Sequence, residues 1–171
     1  LDDYSPLRDL AAASDASPLT DAAHLYPLRD VYSFGQTGLA PAGTAGIGAM
    51  SGNWTAPNPP YGAVFTYSVG GNLGDDKLVL TIADETGKQI RRLDLDKSPG
   101  LRRFAWNLRT DAPPPGSAGA QQGFGGFGRG GLQGTPVAPG RYRAAINRLN
   151  GDKLTPIGQP VSFNVIPIEL K

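Results

Sequence analysis

The stretch "KLVLTIADETGKQIRRLDL", residues 77–95, decides the fold. Leu78, Leu80 and Ile82 fall on alternate positions, so they share one face of an extended strand. "DETGK" (84–88) then supplies turn chemistry, with Gly87 free to take the positive φ of a short hairpin. "QIRRLDL" follows, carrying Ile90, Leu93 and Leu95. The reading is strand, turn, strand, each strand with one apolar and one solvated face.

The same pattern extends in both directions. "GAVFTYSV" puts Ala63, Phe65, Tyr67 and Val69 on one face, and "LRRFAWNLR" aims Phe104, Trp106 and Leu108 inward. "RYRAAINRL" does so with Tyr142, Ala144 and Ile146, and "PVSFNVIPI" with Val161, Phe163 and Val165. "KSPG" (97–100), "APG" (138–140) and "LNGDK" (149–153) mark the breaks. Six or seven short antiparallel strands in one segment, 61–171, specify an all-β fold, an Ig-like β-sandwich. It carries one long Gly-rich loop at 111–137.

Upstream the periodicity is lost. Ser5 and Ser17 read as helix N-caps, with Pro6 and Pro18 at the first helical positions. Residues 1–34 are therefore expected to be a connector with short helices, interrupted by Pro18 and Pro27. Residues 35–60, dominated by Gly, Ala and Pro, read as a linker.

Composition agrees with a single core and long irregular segments. The 171 residues include 24 glycines and 16 prolines, and 39% are apolar. A net charge of +1 gives no global drive toward nucleic acid or an anionic membrane. With no cysteine, disulfides and thiolate metal sites are excluded. No apolar run is long enough for a membrane span. The chain opens on Leu1 and shows no signal peptide, so it reads as a piece of a longer protein.

The strings "NPPYGAVFTYSV", "DKLVLTIADETGKQIRRLDL", "GLRRFAWNLR" and "VAPGRYRAAI", in that order, resemble a known C-terminal module. It is the Ig-like domain that follows the β-propeller in secreted bacterial glycosyl-hydrolase-like proteins of the sortilin and BNR-repeat type. The core is also similar to the Ig-like domain of flagellar hook-capping proteins. "LDDYSPLRDL" and "AHLYPLRDVYSF" resemble the segment leaving the last propeller blade. The resemblance implies a secreted or periplasmic bacterial protein and an upstream propeller as partner of residues 1–34. Catalytic groups of such proteins belong to the propeller, so none has a position here.

Each motif has a competing reading. "GFGGFGRGGLQG" (123–134) contains G-x-G-x-x-G, but neither a strand before nor a helix after it is credible. Its single R-G-G triplet lacks the many cations that nucleic-acid binding needs. Phe124, Phe127 and Arg129 remain candidate ligand contacts in that loop, as do Trp54 and Tyr61 if they stack on a sugar or peptide. His24 is the only histidine and lies in the connector. Asp75–Asp76 and Asp84–Glu85 sit in turns, where Asp is favoured for backbone hydrogen bonding; calcium at Asp75 and Asp76 is the alternative. Arg91, Arg92, Arg102 and Arg103 read as solvent-facing strand positions, or as a patch for an acidic partner. No catalytic, cofactor or metal residue is assigned. The expected function is a non-catalytic accessory domain in structural docking or protein interaction. The alternative is a carbohydrate-binding module.

Overall fold

The computed structural model describes residues 4–12, 22–33, 60–70, 73–111 and 134–168. Within them one helix, α1 (Ser5–Ala12), precedes eight strands. These are β1 (Ala23–Leu25), β2 (Val31–Ser33), β3 (Ala63–Val69), β4 (Lys77–Asp84), β5 (Gln89–Leu95), β6 (Gly100–Trp106), β7 (Gly140–Asn150) and β8 (Lys153–Pro167). All six strands expected from residue 61 onward are present as β3 to β8.

The strands form two sheets, ordered β1-β3-β6 and β2-β8-β7-β4-β5. Consecutive strands are divided between the sheets in the way of an immunoglobulin-like sandwich. The inner faces are the ones the alternation marks: Phe65 and Tyr67 from β3, Leu78, Leu80 and Ile82 from β4, Ile146 from β7. Four rings join the sheets. Phe65 meets Phe163 edge-on at 5.6 Å between centroids, and Trp106 meets Tyr142 at 6.1 Å and Phe163 at 6.3 Å. The Tyr142 hydroxyl donates to the Ala138 carbonyl at 2.6 Å. This bond, four residues back at the start of β7, is the tyrosine corner typical of such sandwiches.

The stretch expected to hold a second short helix includes β1. Pro18 and Pro27 leave too little room for a stable helix. Ala23 and Leu25 instead alternate around His24 and enter the core, and β1 pairs antiparallel with β3. The chain then crosses at Pro27, and β2 joins the other sheet parallel to β8. Residues 22–33 thus supply one strand to each sheet. The helix expected at Ser5 forms, but it begins one residue early: Ser5 is its first residue and the Tyr4 carbonyl accepts from the Leu7 and Arg8 amides, with Pro6 buried and Leu7 exposed.

One irregularity reconciles the apolar pattern of β5. Ile82 is paired with Arg91 and Ala83 with Gln89, so Ile90 is an extra, bulged residue. The bulge lets Ile90 and Leu93, three apart, both pack against the core. A second register shift lies between β7 and β8, where Gly158 has a φ of 70° and Pro160 is accommodated.

Candidate functional site

The three-stranded sheet carries a cleft on its outer side. It has a volume of about 590 Å³, within the range of ligand and peptide sites. Three parts of the chain build it. The base comes from β3 and β6, through Val64, Thr66 and Ala105. One wall is the crossover between β1 and β2, through Pro27 and Leu28, together with Tyr32 of β2. The start of α1 reaches it through Pro6.

The cleft exists because β1 leaves its sheet early. The Tyr26 amide still donates to the Thr66 carbonyl at 3.1 Å, but Pro27 has no amide to continue the ladder. The crossover diverges from there, and the first half of β3 loses its neighbour on that side. Gly62 sets the other end. Its φ is 104°, and a side chain on it would run into the Trp106 carbonyl. Only glycine lets the chain enter β3 this close to the end of β6.

The lining is apolar, with a polar fringe from Arg29, Asp30 and Arg103. Asp30 is committed to the fold, since its Oδ1 accepts from the Asn164 side chain at 2.8 Å and from the Asn164 amide at 3.3 Å. Tyr32 projects outward, 55% exposed, and Tyr4 and Leu7 of the N-terminal segment are 59% and 44% exposed. Tyr32 is thus an exposed ring on the cleft wall, and the N-terminal segment exposes two large apolar groups of its own.

A second feature is the paired stem formed by the residues on either side of the Gly-rich segment 112–133, which lies outside the described residues. The Thr110 amide donates to the Thr135 carbonyl, and the Val137 amide to the Leu108 carbonyl, each at 2.9 Å. Arg109 Nη1 reaches the Gly134 carbonyl at 3.0 Å. The bulged strand holds this stem from the side. Arg91 Nη1 donates to the Thr110 carbonyl at 2.7 Å, and the Asp111 amide donates to the Ile90 carbonyl at 3.2 Å. Leu108 is buried at a φ of 56°, a conformation few non-glycine residues adopt. The Trp106 indole closes that turn by donating to the Arg109 carbonyl at 2.9 Å.

The residues singled out from sequence fall in different places. Tyr61 is half-buried and packs against the core beside the cleft. Trp54, Phe124, Phe127 and Arg129 lie outside the described residues. His24 is on β1, its ring edge-on to Tyr26 at 4.8 Å. Asp76 accepts from the Asn150 amide group at 2.7 Å and sits 3.5 Å from Arg148 Nε, which fastens the turn before β4 to the β7–β8 hairpin. Asp84 Oδ1 accepts from the Thr86 hydroxyl and amide and the Lys88 amide. The Thr86 hydroxyl bond, ahead of the backbone bonds, holds the Asp84 carboxyl below its ordinary value. Among the described residues, no three His, Cys, Asp or Glu side chains are placed to hold a metal ion. The cleft itself had no signature in the sequence beyond Pro27, which marks where β1 stops.

No family model matches this chain. No curated protein matches it either.

Proposed function

We propose that this chain is a non-catalytic accessory domain of a larger secreted or periplasmic β-propeller protein. It acts by docking, through the cleft on the outer side of its three-stranded sheet. The observation that carries this reading is the position of the cleft. It is lined by Pro6 of α1 as well as by the sandwich, Tyr32 is exposed on its wall, and Tyr4 and Leu7 are exposed on the same N-terminal segment as Pro6. A neighbouring domain seated on the cleft would cover Tyr32 and the crossover and so remove apolar surface from water.

The resemblance of the β3–β7 strings to Ig-like domains that follow propellers supports the same assignment. The test is amide hydrogen exchange on the chain alone and within the longer polypeptide that carries it. The amides of α1 and of residues 28–32 are expected to exchange at least about tenfold more slowly in the longer polypeptide. Equal rates in both would remove the docking reading.

A further inference from the structure

Where β7 turns into β8 the sequence reads "LNGDK" (149–153). Asn150 is the only asparagine of the chain that a glycine follows; the others precede Trp54, Pro59, Leu73, Leu108, Arg148 and Val165. Asn150 pairs with Lys153, which leaves Gly151 and Asp152 as a two-residue loop. Gly151 has a φ of 57°, as the first loop position of a type II′ hairpin requires. Its amide makes no backbone hydrogen bond among the described residues, and open space surrounds the place of its missing side chain. Asn150 and Gly151 are both exposed to water. An uncrowded, hydrated main-chain nitrogen therefore stands one residue beyond a carboxamide.

That carboxamide has a task in the fold. Asn150 Nδ2 donates to Asp76 Oδ1 at 2.7 Å, while Arg148 Nε lies 3.5 Å from Asp76 Oδ2. Asp76 immediately precedes β4, whose first residue, Lys77, pairs with Leu149. The carboxylate thus receives a neutral donor on one oxygen and a cation on the other. A second carboxylate in place of the carboxamide would bring no proton to Oδ1 and would set like charges at hydrogen-bonding distance.

We infer that Asn150 is a deamidation site, and that loss of its amide unfastens the β7–β8 hairpin from the turn before β4. Water is the one co-reactant. The Gly151 nitrogen gives its proton to hydroxide and attacks Cγ of Asn150. A C–N bond forms, the Cγ–Nδ2 bond breaks, and the nitrogen leaves as ammonia after taking a proton from water. Water then opens the five-membered imide at either carbonyl. Opening at Cγ gives aspartate; opening at the main-chain carbonyl gives isoaspartate, which lengthens the backbone by one carbon in the hairpin. Either product carries a new negative charge toward Asp76. The bond to Asp76 restrains the first step, because the carboxamide has to leave that carboxylate before Cγ can turn to Gly151. The site lies on the five-stranded sheet and stands independently of the docking reading.

The test incubates the 171-residue chain in mildly alkaline buffer and follows the tryptic peptide 149–153 by mass spectrometry. Asn150 is expected to lose its amide at least about tenfold faster than Asn107 and Asn164, because the residues after those two carry side chains that crowd the attacking nitrogen. Aspartate and isoaspartate are both expected in the peptide. Asp76→Ala releases the carboxamide and should raise the rate about threefold or more. The consequence is read on Asn150→Asp, in which amide exchange at Lys77 and Leu149 is expected to quicken by about tenfold. Combining Asp76→Asn with Asn150→Asp puts a donor opposite a carboxylate again and should restore slow exchange. An amide at Asn150 as long-lived as those of Asn107 and Asn164 overturns the modification site. Unchanged exchange in Asn150→Asp overturns the unfastening, and failure of the exchanged pair to restore it overturns the part given to Asp76.

Discussion

Two single residues hold the sandwich in its observed form, and each gives a measurable consequence. Gly62 combines a φ of 104° with a backbone contact to the Trp106 carbonyl that leaves no room for a methyl group. Gly62→Ala is expected to destabilise by about 2 kcal/mol or more in urea unfolding, since it adds a clash to backbone strain. Gly87 also has positive φ, at 83°, but nothing lies near its missing side chain. Its alanine variant carries the strain without the clash and should lose less. Tyr142→Phe removes the 2.6 Å bond to Ala138 while keeping the ring against Phe163 and Trp106. A loss of about 1 kcal/mol is expected, and the stranded carbonyl sets its upper side. Ionisable side chains add pH limits at both ends. The Asp84 and Asp96 carboxyls lie below their ordinary value of 3.8, held there first by the hydroxyls of Thr86 and Ser98. Their stabilisation is present above that value and is lost as pH falls through the lowered one. Burial, followed by nearby Asp96 or Asp84, raises the phenols of Tyr67 and Tyr142 above 10.0. Their contribution is present below pH 10 and is lost as pH rises through the raised values. Thr86→Ala should move the Asp84 titration, followed by carboxyl carbon NMR, back toward the ordinary value.

At the scale of elements, the stem that flanks the Gly-rich segment depends on the β5 bulge. Arg91 is the link, because its guanidinium bonds the Thr110 carbonyl and lies 3.4 Å from Asp111. Arg91→Ala is expected to destabilise by about 2 kcal/mol, as a hydrogen bond from a charged donor is lost beside a partly buried stem. Faster exchange at the Thr110 and Asp111 amides should accompany it. A uniform loss, with no preference for those amides, would mean that the stem stands without Arg91. This element also shows where the sequence could be read and where it could not. The strands β3 to β8 are long enough for two to four inward residues each, so alternation alone places them. The bulge at Ile90 is visible only as a break from period two, and nothing local says which strand absorbs it. β1 and β2 have three residues each, too few for a period, and lie among Ser-Pro pairs that also start helices. Their place is fixed by partners more than forty residues away in β3 and β8. The cleft follows from that placement, so it was equally hidden. Asp84, read as a turn residue, bonds the Thr86 and Lys88 amides as one would, whereas Asp76 bonds the side chains of Asn150 and Arg148 on distant β7.

For the whole molecule, the N-terminal segment decides whether the sandwich closes. Ala23, Leu25 and Val31 belong to the same core as Trp106 and Phe163, and Tyr26 is only 1% exposed. Full burial of a residue such as leucine or valine contributes about 1.5–3 kcal/mol. Leu25, Tyr26 and Val31 together therefore approach the lower end of the roughly 5–15 kcal/mol by which a domain is stable. Removing them also uncovers the edge of β3 and the end of β8, both of which would then be open to pairing with other chains. A chain beginning at residue 35 is accordingly expected to lose its cooperative unfolding transition and to aggregate. Removal of residues 1–12 alone takes away α1, whose residues are mostly exposed, and should preserve a single transition at slightly lower denaturant. Circular dichroism during urea titration of the two truncations separates the cases. If both retain one sharp transition, residues 22–33 are dispensable to the sandwich. If only the shorter truncation does, β1 and β2 are what the sandwich takes from the N-terminal segment, and α1 is dispensable to its folding.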